Sequence, residues 1–276
     1  MVRNESVLWM WERPLLLAFF KDRGEDCSGV GEDGGNSVMK IQYEDREILV
    51  VYKEAGLAVQ TARTSRKDLV SMLKNYLSQP YLGIVHRLDQ PVEGLLVFAK
   101  TPQSAAKLSE QAAGKDKKGE QAVGKGKMDK QTAGKGEMEK IYQAAVCLDP
   151  VSYPLAVEGM KKEVFLEDCL GRDRSTNMAY VAAPGEQGAK LARLSFHTIW
   201  IRDSRALLEI RLYTGRHHQI RIQMAHASMP LAGDRKYGKG EEELPLCLCA
   251  ARLAFLHPVT GRKMEFCVTP SWLPLV

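Results

Sequence analysis

The chain has 276 residues, 45% of them hydrophobic, and a formal charge of +5. This composition excludes a globally disordered chain, and so small a charge excludes a histone-like polycation. No apolar run reaches the roughly 18 residues of a membrane span; residues 7–20 come nearest and are interrupted by Glu12-Arg13-Pro14. That stretch also lacks a small-residue cleavage site, so no signal peptide is expected. Six cysteines lie mostly in apolar runs and read as buried thiols of a reducing compartment, which makes a cytoplasmic location the expectation. Cys247-Leu248-Cys249 has no second pair at metal-ligand spacing, so zinc is not expected. Charge is uneven. Residues 1–38 hold four Lys/Arg against seven Asp/Glu, and residues 110–140 hold eight Lys against six acids. The rest carries the basic excess and favours an anionic partner.

In chain order, residues 1–38 pass from a Trp- and Leu-rich patch into Gly, Asp and Ser, and read as a flexible N-terminal extension. From Met39 the pattern is regular and spans a single domain, 39–276. Residues 41–43 and 47–53 read as strands turning at Asp45-Arg46. Residues 65–77 read as a helix, with Leu69, Val70, Leu73 and Leu77 at helical spacing and Ser65 with Asp68 resembling a capping box. Residues 83–85 lead into a polar turn, and a strand follows at 94–100. Thr101-Pro102 then opens a helix to about residue 111, with Thr as N-cap and Pro at the first helical position. Residues 111–139 form a low-complexity Lys/Gly-rich insertion: Gln-Ala-Ala-Gly-Lys, Gln-Ala-Val-Gly-Lys and Gln-Thr-Ala-Gly-Lys recur every ten residues. So short and polar a repeat cannot bury a face. An expansion without function is the expectation, and a basic arm touching phosphates is the alternative.

Beyond the insertion, strands are expected at 141–148 and 163–170. A turn follows at 184–188, then a hairpin of 191–201 with 206–212 about Arg202–Arg205. Residues 214–227 read as a loop passing into a helix, and strands at 246–256 and 263–268 close the chain. Short strands with few helices predict an α+β fold with a mixed or antiparallel sheet and flanking helices. No phosphate-binding glycine loop, Walker A or H-E-x-x-H motif is present, so no cofactor and no metal is expected.

Three polar segments stand out from this apolar framework. The first is His86-Arg87-Leu88-Asp89 in the turn before strand 94–100. Pro91 stiffens that turn, and taken alone Asp89 reads as a turn cap. The second is Lys140-Ile141-Tyr142, where Tyr142 alone reads as a half-buried strand aromatic. The third is Thr214-Gly215-Arg216-His217-His218-Gln219-Ile220-Arg221, dense in anion-binding side chains at a helix start. His217 and His218 on a helix do not converge on one ion.

Together and in this order, these segments resemble the RluA family of RNA pseudouridine synthases, through its H-R-L-D, K-x-Y and T-G-R-x-H-Q-I-R motifs. Residues 50–57 and Pro230-Leu231-x-Gly233-Asp234-x-x-Tyr237-Gly238 extend the likeness over about residues 39–270. The sequence departs from the family pattern at Val92-Glu93 and at Cys249, where the family has His; these departures are expected to bear on substrate choice. Residues 1–38 are too short for the S4 RNA-binding domain of many members.

The resemblance implies a pseudouridine synthase catalytic fold with a central cleft, acting on structured RNA, rRNA or tRNA, as a monomer. It implies that Asp89 acts at the ribose–base junction, that Arg221 pairs with it, and that Tyr142 stacks on the uracil and assists loss of the C5 proton. Arg87 would fill the space left by the flipped base. His86, Arg216, His218 and Gln219 would contact the RNA, with helix capping and support of the cleft wall as the competing role for the last three. Two other classes remain: a non-catalytic RNA-binding or chaperone protein, and, weakly, a glycoside hydrolase using Glu93 as its second carboxylate.

Overall fold

The computed structural model describes residues 39–61, 67–113, 138–183, 185–238 and 243–276. The expected extension 1–38, the repeats between 113 and 138, Ser65 of the expected capping box and Pro184 of the expected turn lie outside them. The strands are β1 (Met39–Glu44), β2 (Ile48–Lys53), β3 (Gly83–Ile84), β4 (Glu93–Ala99), β5 (Glu139–Cys147), β6 (Val164–Asp173), β7 (Met178–Val181), β8 (Lys190–Arg202), β9 (Arg205–Leu212), β10 (Leu248–Leu256) and β11 (Lys263–Cys267). The helices are α1 (Leu69–Leu77), α2 (Pro102–Ala113), α3 (Tyr153–Lys161) and α4 (Gln219–His226).

All strands join one mixed sheet in the order β1-β2-β4-β10-β5-β9-β8-β6-β7, with β3 on β4 and β11 on β10. The parallel contact is β4 with β10, which pairs Glu93 with Cys249 and Gly94 with Ala250. The backbones approach closely there. Gly94 has φ +124, and a Cβ on it would meet Ala250 backbone atoms at 2.5 Å. Only glycine fits this conformation and this contact.

Both faces of the central strands are covered, so β2 and β4 read as unbroken apolar runs. Leu49, Val51, Leu96 and Phe98 face a core shared with Leu69 and Leu73 of α1 and Ile220 and Met224 of α4. Ile48, Val50, Leu95 and Val97 face the opposite core, which takes in Leu108 of α2 and Phe255. The cleft described below takes lining from both sides, Leu88, Tyr142 and Ile220 from the first core and Val85, Ala112 and Met138 from the second.

Local chemistry explains most element ends. Helix α1 starts at Leu69, four residues later than expected, because Asp68 is its N-cap and accepts from Ser71 N at 2.8 Å. Thr101 caps α2 as expected, its Oγ1 accepting from Ser104 N at 3.2 Å. α2 runs to Ala113, and Met138 N donates to the Gln111 carbonyl at 3.0 Å. The described chain therefore leaves and re-enters at neighbouring points. The β8–β9 hairpin forms about Asp203, which takes the left-handed φ of 49°. Helix α3 and strand β7 were not expected. α3 buries only Ala156 and Gly159, too few to leave an apolar period, and β7 is four residues long.

Candidate active site

Asp89 stands at the end of β3's exit and just before β4. Its main-chain carbonyl closes the turn by accepting from Val92 N at 3.0 Å. The turn is thus capped by backbone, and the carboxylate is turned into the cleft. Two contacts stiffen this mount. Gln90 exchanges hydrogen bonds with Gly56, its carbonyl accepting at 2.8 Å and its Nε2 donating at 2.9 Å. Buried Lys53 donates from Nζ to the carbonyls of Glu54, Leu57 and Gln90 at 3.0, 2.8 and 3.1 Å. Burial brings the Lys53 pKa down to about 8, while the charges of Asp89 and Glu93 oppose the fall.

The cleft around Asp89 has a volume near 1120 Å³, above the roughly 300–1,000 Å³ of ordinary small-ligand pockets. Its walls carry Arg87, Lys140, Arg172, Arg211, Arg216 and Arg221 against the carboxylates of Asp89 and Glu139. Such a balance attracts a polyanion. Tyr142 lines the cleft from β5 and is itself buried. Burial, then the charge of Asp89, pushes its hydroxyl well above the ordinary tyrosine range, so it is a neutral phenol at neutral pH.

Arg221 and Asp89 both line the cleft, but Arg221 is paired elsewhere. Its Nε and Nη2 donate to Asp234 at 2.8 and 2.5 Å, the two side chains being 5% and 0% exposed. The guanidinium also lies over the Tyr237 ring at 5.2 Å. This corrects the expected Arg221–Asp89 pair. Asp234 offers a preformed two-oxygen acceptor, oriented by the N–H groups of Lys236 and Tyr237. Burial works to raise the pKa of Asp234, but these bonds outweigh it and hold the carboxyl below its ordinary range.

The side chain that faces Asp89 is instead His218, whose Nε2 lies 3.7 Å from Oδ2. His218 takes the left-handed conformation, φ 51° and ψ 26°, immediately before α4. Burial, then the nearby charge of Arg221, brings its pKa down to about 3, so the ring is neutral. His217 stacks on it with ring centres 3.8 Å apart. Because both histidines precede the helix, they are not splayed apart as expected, and with Asp89 they bring one ligand atom each within 4.8 Å of one another. His217 Nε2 and His218 Nδ1 are already engaged, with the Asn177 carbonyl at 3.3 Å and the Tyr237 hydroxyl at 2.8 Å.

The remaining expected contacts divide. Arg87 is exposed at the cleft and meets no hydrogen-bond partner among the described residues. Arg216 donates from Nε to the Leu191 carbonyl at 2.8 Å, and its guanidinium forms part of the wall. Gln219 is spent on structure. Its Oε1 accepts from Thr214 Oγ1 and Arg216 N, at 2.8 and 2.9 Å, and its Nε2 donates to the Arg193 carbonyl at 3.0 Å. His86 is a strand cap: Nε2 accepts from Val97 N at 3.3 Å, just past the end of β3 pairing. Burial, then Lys140, lowers its pKa to about 3.

Glu93, four residues after Asp89, does not line the cleft. It is 2% exposed, and its oxygens accept from Tyr52 Oη at 2.8 Å, Ser271 N at 2.7 Å and Ser271 Oγ at 2.5 Å. The Cys249 thiol also bonds to it. Glu93 and Cys249 therefore meet in one buried network on the far side of the sheet, whereas Val92, the other residue of the first departure, lines the cleft. Neither a substrate-reading role nor a second glycosidase carboxylate is available to Glu93. The sequence does not single out Arg172, Arg211 or Tyr237 as site residues. Tyr237 had a signal in the Gly233–Gly238 segment; Arg172 and Arg211 are ordinary charges on strands, and only folding turns them to the cleft.

Residues 47–226 match the RNA pseudouridylate synthase family. The ribosomal large subunit pseudouridine synthase D of Xanthomonas campestris pv. campestris is 31% identical over 248 residues, covering 82% of this chain and 64% of that protein. The ribosomal large subunit pseudouridine synthase C of Buchnera aphidicola subsp. Schizaphis graminum is 24% identical over 240 residues, covering 83% of this chain and 67% of its own. Among solved structures, human RNA pseudouridylate synthase domain containing 1 superposes with a TM-score of 0.60 at 20% identity, over 89% of each chain. That likeness is one of fold.

Proposed function

This chain belongs to the RNA pseudouridylate synthase family, as an RNA isomerase of the RluA type, and we propose that it converts specific uridines of large-subunit ribosomal RNA to pseudouridine, with Asp89 acting at the ribose–base junction. The choice of RNA is supported by the relatives, which are named for the ribosomal large subunit. The observation that carries the catalytic assignment is the placement of Asp89: a carboxylate on a stiffened turn, facing a large basic cleft beside Tyr142.

In the reaction the C1′–N1 bond of uridine breaks, the uracil turns, and a C1′–C5 bond forms. C5 gives up a proton and N1 gains one, so no oxidant, reductant or group donor is needed. Asp89 supplies the carboxylate required either for attack at C1′ or for removal of the 2′ proton on a glycal route. In the free enzyme Tyr142 is neutral, and it serves as a stacking face for the uracil. Attack by Asp89 would discharge the neighbouring carboxylate and ease proton transfer through the Tyr142 oxygen. Arg87, exposed at the rim, takes the position of the flipped nucleotide in this reading. The basic walls hold phosphates and set register rather than read bases.

The test is tritium release from C5-labelled ribosomal RNA and transfer RNA by the full chain. Release from large-subunit RNA, lost in Asp89→Asn while RNA binding persists, is the expected result. Release from transfer RNA alone would overturn the substrate, and full complementation of a deletion strain by Asp89→Asn would establish the non-catalytic RNA-binding reading instead.

A further inference from the structure

We infer that Tyr237 locks His218 in the tautomer that carries its proton on Nε2, and that this N–H holds the Asp89 carboxylate in its reactive orientation. His218 and Tyr237 are then positioning residues for the reaction proposed above, on which this inference rests.

Tyr237 Oη accepts from Ala179 N at 2.7 Å, and it lies 2.8 Å from His218 Nδ1. Among the described residues these are its hydrogen-bond partners. If the phenol donates to Nδ1, its hydrogen is satisfied, Nδ1 is an acceptor, and the neutral ring must carry hydrogen on Nε2. That hydrogen faces Asp89 Oδ2 at 3.7 Å. In the opposite tautomer the phenol would accept twice and leave its own hydrogen without an acceptor. The bare Nε2 lone pair would also face a carboxylate. Both features are unfavourable at a histidine ring only 5% exposed.

The surroundings keep the ring neutral and still. Burial is the main cause of its low proton affinity, and Arg221, His217 and Lys236 add repulsion to any second proton. His217 covers one face of the ring and Tyr237 meets it edge-on at 80°. Arg221 thereby acts on Asp89 at second hand. It anchors Asp234 and underlies the Tyr237 ring, so it fixes the phenol that fixes the histidine. The 3.7 Å gap is longer than a made hydrogen bond; such contacts tighten when substrate arrives.

The experiment uses the full chain labelled with ¹⁵N histidine, together with tritium-release kinetics on the RNA substrate. The wild-type spectrum should show His218 protonated at Nε2, with assignment by loss of the signal in His218→Gln. Tyr237→Phe should abolish that preference and lower kcat at least tenfold, with KM for RNA within twofold. A wild-type His218 protonated at Nδ1, or Tyr237→Phe turning over at the wild-type rate, would overturn the inference. Should Tyr237→Phe fold poorly, His218→Gln and His218→Ala carry the test, since both strain the same left-handed position. Gln offers an N–H near the Nε2 site and should retain at least tenfold more kcat than Ala; equal rates overturn the role. If Asp89→Asn still releases tritium, the assignment of Asp89 is what fails, because the tautomer is read without turnover.

Discussion

Asp89 and Glu93 are two carboxylates four residues apart on one turn and strand, and the molecule treats them oppositely. Asp89 keeps a side chain 35% exposed in a basic cleft, with a neutral histidine as its near neighbour. Glu93 is 2% exposed and takes hydrogen bonds from Tyr52 and Ser271. The first is under-bonded, as the role proposed for it requires; the second is fully spent on holding β4 to the C-terminal segment. Local sequence distinguishes them poorly, since both are acids beside apolar runs. What separates them is the face of the sheet each side chain joins, and how many donors wait there.

The contrast can be broken most directly at Asp89. Asp89→Asn should lower tritium release by about 10³-fold or more, while the melting temperature stays within about 2 °C, since little folding energy rests on it. A loss of stability comparable to that of a core variant would place Asp89 in the structural class. Glu93→Ala should do the reverse. Removing it leaves a buried Tyr52 hydroxyl and Ser271 amide without their acceptor, at a cost of about 2–4 kcal/mol in urea unfolding. Turnover per folded molecule should hold within about threefold. A larger fall in kcat at unchanged stability would move Glu93 into the machinery.

Arg221→Ala tests the corrected pairing. It strips Asp234 of its buried counter-charge and should destabilise by about 3–5 kcal/mol. Arg221→Ala, Asp234→Ala together should cost clearly less than the sum of the single changes. Additivity would deny the pair.

A gentler probe is pH. His86 and His218 both have folded-state pKa values near 3, against about 6.5 in an unfolded chain. Between those values the unfolded state binds more protons, so stability is full above about pH 6.5 and falls as pH drops towards 3. Each group contributes a slope of up to about 1.4 kcal/mol per pH unit in that window. His86→Gln should shallow the acid limb of a thermal-melt series; an unchanged limb would mean that His86 is not held neutral by its burial. The smallest effect is expected from replacing residues 114–137 with a short Gly-Ser turn. Gln111 and Met138 already meet by a hydrogen bond, so activity at physiological salt should stay within about twofold. A larger loss that disappears at low salt would favour the basic-arm reading.

Much of this was legible in the sequence. The apolar runs of β2 and β4, the Thr101-Pro102 helix start and the β8–β9 hairpin follow from local patterning and turn chemistry, which act over a few residues. The H-R-L-D, K-x-Y and T-G-R-x-H-Q-I-R segments marked the family, because three such motifs in one order carry the resemblance. Tertiary structure decided the partners. Arg221 chose Asp234 over Asp89 because a loop thirteen residues on delivers an oriented carboxylate to it. Glu93 left the cleft because alternation along a strand sends side chains to opposite faces, and pairing of β4 with β10 set which face meets Cys249. The proton of His218 is decided further away still, by an amide of β7 bonded to Tyr237. Residue types can be read locally, but hydrogen bonds depend on distances of a few ångströms between segments far apart in the chain, and only the folded arrangement sets those.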